Sequence, residues 1–161
     1  LNKEHSICNV YSALNLAKDE HQEILTRINH KAPHCQSYQK IKNVLNANSK
    51  GVYQGKIFVE KLAQKTDAYQ LSKALILSDE AEFDAKPELE IYADDVKCSH
   101  GSTSGSIDDE SIHYLMTRGL PREKAVKLLI NGFLNEILET IDNTEIKFFL
   151  EKKLESQIND N

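Results

Sequence analysis

Tryptophan is absent from the 161 residues, and arginine occurs only at Arg27, Arg118 and Arg122. Carbohydrate-binding grooves lean on aromatic stacking and guanidinium forks, so a sugar-processing role has little to work with. A basic excess is also missing: 20 Lys and Arg face 25 Asp and Glu, for a net charge of −5. That removes the electrostatic footprint expected of a nucleic-acid binder. The longest apolar run, ALIL at 74–77, falls far short of the roughly 20 residues a membrane-crossing helix needs. The three cysteines, Cys8, Cys35 and Cys98, show no CxxC spacing. A disulfide framework and a four-thiolate zinc site are therefore not expected, and a reducing, cytoplasmic setting is. The chain begins with Leu1 and lacks the charged-then-apolar opening of a signal peptide, which suggests a piece of something longer.

What is present divides into two textures. Hydrophobic residues make up 40% and charged residues 28%, a globular balance. Up to residue 106 the apolar residues alternate or form short clusters. In GKIFVEK, Ile57 and Val59 point one way while Lys56 and Glu60 point the other. ELEIY repeats this with Leu89 and Ile91 inward and Glu88 and Glu90 outward. A period of two predicts half-buried strands.

The clusters recur. From Ile24, Ile41, Ile57, Leu75 and Leu89 the steps are 17, 16, 18 and 14 residues, and two steps together give 33, 34 and 32. The steadier double step points to a solenoid with two strands per turn, a β-helix. A sandwich should show turn signals every 8–12 residues, and Asn-Gly or Asp-Gly hairpin turns are missing from this half. The pattern alone leaves the β-helix and other all-β folds open.

From residue 107 the period changes to that of helices. Asp108 can cap a first helix carrying Asp109 and Glu110 in its first turn and Ile112, Leu115 and Met116 on one side. Gly119 stands where a left-handed C-cap belongs, and Pro121 suits the first turn of a second helix. Its stripe runs Val126, Leu129, Ile130, Phe133, Ile137 and Ile141, widened by Leu128, Leu134 and Leu138. Ile146, Phe149, Leu150, Leu154 and Ile158 mark a third. Helices this short need partners, and the wide second stripe can meet the β-region or another protein. The expected domains are a β-helix core over 1–106 and a helical domain over 107–161.

Cys98 and His100 fall on one face of a strand. They could be two ligands of an incomplete metal site, a nucleophile with its base, or a small buried residue beside a surface imidazole. His34–Cys35 points to opposite faces and reads as structural. GSTSGS, 101–106, lacks the lysine and order of a phosphate loop and reads as a hinge. The acids of DEAEFD and ADD read as solvated turns.

Two longer stretches carry a resemblance. TDAYQLSKALILSDEAEFDAKPELEIYADDVKCSHGSTSG, 66–105, and IHYLMTRGLPREKAVKLLINGFLNEIL, 112–138, resemble the SufB/SufD family of the SUF iron–sulfur cluster assembly system. The likeness runs over 50–141, and the KCSHG segment is similar to the SufD branch. Ser102 and Ser104 depart from the alanine and small apolar residue common there.

The resemblance implies a right-handed parallel β-helix with a C-terminal helical domain, and a scaffold rather than an enzyme. It implies pairing with SufB through the β-helix and docking of SufC, an ABC-type ATPase, on the helical tail. Tyr114, Leu115, Arg118, Gly119 and Phe133 are the candidate docking residues. It places His100, with Cys98, at the SufB interface. No cofactor is expected in the isolated chain. In the complex, iron or an iron–sulfur cluster is expected, with His100 as a ligand. Without SufB, a homodimer is expected; no nucleic acid or membrane is a partner. The alternative is a β-helix polysaccharide lyase or hydrolase, which the scarcity of arginine and the missing tryptophan disfavour.

Overall fold

The computed structural model describes residues 1–160, with side chains to residue 158. Seven strands come first: β1 (Ile7–Leu16), β2 (His21–His30), β3 (Gln36–Leu45), β4 (Lys50–Val59), β5 (Asp67–Ile76), β6 (Glu82–Ile91) and β7 (Lys97–Gly105). Every pairing is parallel. Odd strands form one sheet in the order β1-β3-β5-β7, and even strands form the other, β2-β4-β6. The chain thus alternates between two sheets, as a β-solenoid of about three turns does.

A turn takes 29 residues where Ile7 pairs with Gln36, and 32 where Lys50 pairs with Glu82. That is slightly below the double step of the apolar clusters. The clusters drift because their leading residues do not share a register: Ile24 pairs with Tyr53, and Ile41 with Ser72. Corners recur with the same rhythm. His5, His34 and Lys65 turn one corner at φ 60°, 59° and 60°, and Lys18 and Ala47 turn the other at 56° and 52°. Left-handed residues of this kind bend the chain sharply, at a cost for any side chain with a Cβ.

The lumen is part apolar and part polar. Ile41, Leu45, Ile57, Val59 and Ala63 are fully buried, and so are His30, Ser37, Gln39, Gln70 and Ser72. Tyr53 crosses between the sheets, its hydroxyl 3.4 Å from Gln39 Oε1 and 3.2 Å from Gln70 Oε1. Val44 and Leu75, paired across β3 and β5, point out of the lumen. They are covered from outside by the tail.

The tail comprises α1 (Asp109–Thr117), α2 (Arg122–Asn135) and α3 (Thr144–Asp160), with a 3₁₀ turn at Leu138–Thr140. Asp108 accepts hydrogen bonds from the N–H groups of Glu110 and Ser111, the cap expected of it. Gly119 adopts φ +93°, open to glycine at little cost. Two expectations need correction. Pro121 sits at the N-cap of α2 rather than inside its first turn, and α2 stops at Asn135 instead of running to Ile141. The side chains of Ile130, Leu134 and Leu138 gather on Val44 with Leu154 and Ile158. The wide stripe therefore finds its partner in the odd sheet. Removing each such side chain from water stabilises the contact by roughly 1.5–3 kcal/mol.

Candidate functional site

The end of the solenoid is where the chain leaves its last strand. Pairing β7 to β5 sets Cys98 beside Ala68, His100 beside Gln70 and Ser102 beside Ser72. Ala68, Gln70 and Ser72 are buried lumen residues, so Cys98, His100 and Ser102 face the lumen as well. The Ser72 and Ser102 hydroxyls are 2.9 Å apart, direct evidence of that orientation. Among the described residues no further strand lies beyond β7 in its sheet. What would be core one turn earlier is therefore open here, and His100 is exposed while Cys98 is half-buried.

Cys98 packs on the cluster of Ile57, Val59, Ala63, Ala68 and Ala93. Burial pushes its thiol pKa above the ordinary value, the Asp67 carboxylate adds to this, and a hydrogen bond with the Ala68 backbone works against it. A thiol raised in this way is a poor nucleophile at neutral pH. Cys98 and His100 share a face, as their spacing predicted, and they share the open end of the lumen. Among the described residues no three His, Cys, Asp or Glu side chains gather closely enough to hold a metal ion.

The run expected to be a hinge is strand up to Gly105. Gly101–Gly105 continues β7 in register with Leu71–Leu75, and the chain leaves the sheet only over 106–108. Main-chain pairing with β5 suffices to make a strand of residues with weak strand propensity.

The residues expected to receive an ATPase are not one patch. Tyr114 is 57% exposed and carries the Arg118 guanidinium 5.2 Å from its ring centre. Leu115 is half-buried and Gly119 exposed. Phe133 faces inward: Lys42 Nζ lies 4.3 Å from its ring centre and 2.6 Å from its carbonyl oxygen. The tail's outer apolar surface comes instead from Met116, Leu128, Ile146, Phe148 and Phe149, at 43, 51, 52, 58 and 63% exposure. Sequence reasoning placed Ile146 and Phe149 in a buried stripe. The adjacent Phe148 was the signal that α3 carries more apolar surface than one face can bury.

Sequence reasoning left the partner of the second stripe open between the β-region and another protein, and it missed the ion pairs at the contact that forms. Lys42 is 1% exposed, yet it lies on the outer face of β3. Its ammonium pairs with the Glu136 carboxylate, which Lys40 also reaches. Hydrogen bonds from Lys40 and Lys42 hold Glu136 well below the usual carboxylate range, at a pKa of about 2. Burial lowers the Lys42 pKa, and Glu136 opposes the shift.

A sequence model of the "SUF system FeS cluster assembly, SufBD core domain" matches residues 1–133. The "Iron-sulfur cluster assembly protein SufD" of Escherichia coli is 39% identical over 147 residues, covering 91% of this chain and 35% of that protein. An iron-sulfur cluster assembly SufBD family protein of Synechocystis is 42% identical over 123 residues, 76% of this chain and 26% of its own length. The Bacillus subtilis SufD is 31% identical over 140 residues, 87% of this chain and 32% of its own. The chain thus spans about a third of the relatives it matches. With its parallel solenoid and helical tail, the chain belongs to the SufB/SufD family of the SUF iron–sulfur cluster assembly system and is SufD-like within it.

Proposed function

We propose that this chain serves SUF iron–sulfur cluster assembly as a scaffold and not as a catalyst. Its solenoid pairs with SufB, its helical tail docks the SufC ATPase, and motion driven by ATP passes from the tail to the open end of the solenoid. His100, with Cys98 beside it, contributes there to an iron or cluster site that SufB completes. It works in the cytoplasm, and without SufB its solenoid pairs with a second copy. The observation that carries this reading is the open lumen end: an unpaired β7 edge presenting His100. Such an edge seeks a strand from another chain. The outer apolar residues of the tail supply the second contact.

The test is copurification with SufB and SufC. Cutting the chain at Gly105 would bare Val44 and Leu75, so point changes are the cleaner probe. Leu128→Ser with Phe149→Ser should abolish capture of SufC and leave capture of SufB intact. Undiminished SufC binding would remove the tail from the ATPase contact. For self-pairing, light scattering of the chain alone should exceed the 18.3 kDa of one copy.

A further inference from the structure

Lys42 is an odd residue to bury at this junction. Its neighbour Val44, also on the outer face of β3, is fully buried against Ile130 and Leu134. A hydrocarbon at position 42 would continue that contact and avoid the cost of drying an ammonium ion. Every partner of the Lys42 ammonium comes from the tail: the Glu136 carboxylate, the Phe133 carbonyl and the Phe133 ring. If the tail moved away, water would replace all three at once. A lysine is thus at home in both arrangements, docked and released, whereas a buried hydrocarbon suits only the docked one.

Two grooves flank the apolar cluster at the junction. A groove of about 460 Å³ runs between α2 and the solenoid, lined by Ala17, Leu77, Val126 and Ile130 among others. Another, of about 300 Å³, lies by the β1 edge between Tyr11, Ala13, Leu138 and Leu154. Unfilled space at an apolar contact forfeits dispersion energy. The docked state therefore draws on the apolar cluster around Val44 and on Glu136, which joins two lysines. Behind it lies a short connection: only residues 106–108 separate β7 from α1.

We propose that Glu136 with Lys40 and Lys42 is a releasable latch, holding the tail on the odd sheet in one of two states. In the released state α2 and α3 swing about 106–108 while the solenoid stays folded. Anything that binds the tail better in one state shifts the balance between them. The latch rests on contacts within this chain, so it stands or falls separately from the partner reading above.

Hydrogen exchange on the full chain tests it. In Glu136→Gln, amides of α2 and α3 should exchange at least tenfold faster than in the parent, with β3, β4 and β5 unchanged. The double variant Lys42→Met with Glu136→Gln should restore parental protection of the tail, because no buried ammonium is left without a counter-charge. Unchanged tail protection in Glu136→Gln would overturn the latch. So would a loss of protection spread equally over tail and solenoid, or a double variant as unprotected as the single one.

Discussion

The Tyr53 hydroxyl occupies the place where Gly55 would carry its side chain: a Cβ on Gly55 would lie 2.2 Å from that oxygen. Residues 53 and 55 share the lumen face of β4, so the glycine makes room for the tyrosine to span the solenoid. In Gly55→Ala the phenol must leave, and Gln39 and Gln70 lose their hydroxyl partner. Expected is a loss of about 2–3 kcal/mol. It exceeds the gain of about 0.4–1 kcal/mol from a stiffer unfolded chain. Urea unfolding measures it, and an alanine variant as stable as the parent would mean that Tyr53 is not held there.

His30 gives the fold a pH dependence of its own. Fully buried, its ring bonds the Ser37 hydroxyl at 2.8 Å. Burial, aided by the charge of the Leu1 amino terminus, lowers its pKa from 6.5 to about 4. Between those values the unfolded chain takes up a proton that the folded chain refuses. Stability should therefore fall as pH drops from about 6.5 towards 4, by roughly 2–3 kcal/mol in all. Glu88, Glu90, Asp108 and Glu136 have lowered pKa values, so their contributions are lost at more acid pH. In His30→Gln the slope above pH 5 should flatten, whatever the absolute stability of the variant. A slope unaltered by the change would assign the proton uptake to another group.

Much of the solenoid could be read from its alternation, because a strand buried on one face prints a period of two. Ile57, Val59 and Leu89 were placed correctly on that basis. The polar lumen could not be read in the same way. Gln39 and Gln70 stand in one inward column that ends at His100, yet a glutamine gives no sign in sequence of which face it takes. Nor could Lys42 be recognised as buried, since its cover is the tail, some 90 residues along the chain. Strand β7 was hidden for a different reason. Its glycines, serines and threonine form a strand only because β5 offers them hydrogen bonds. The caps at Asp108 and Gly119 were legible because they depend on neighbouring residues alone.

Corner Ala47 should accept glycine with profit. Its φ of 52° crowds an alanine Cβ against its own backbone, at a cost of about 1 kcal/mol. Glycine removes that strain but gives back part of the gain through its freer unfolded chain. Ala47→Gly should therefore raise stability by about 0.5 kcal/mol, or the melting temperature by about 1–2 °C. Ala47→Val should lower it, since a branched Cβ is worse still in that conformation. Scanning calorimetry of both variants would settle the sign, and a glycine variant that melts earlier would mean the corner is not strained.

His100→Ala separates a working imidazole from a packing one. The ring lies at the open lumen end, and none of the described contacts of the fold depends on it as they do on Tyr53 or Lys42. Replacing an exposed side chain there should alter the stability of the chain by less than about 0.5 kcal/mol. On the role proposed for His100, cluster formation in the proposed complex with SufB and SufC should nevertheless fall at least tenfold, through loss of a nitrogen ligand. Cys98→Ser, in contrast, should affect the fold more, since Cys98 packs on the apolar cluster that includes Val59 and Ala93 and a hydroxyl there must be desolvated. Both variants are assayed for melting temperature and for iron and sulfide retained after reconstitution. A His100→Ala complex that assembles clusters at the parental rate would leave the imidazole as an interface residue only. One that assembles none but also melts many degrees earlier would show that the ring holds the solenoid end together.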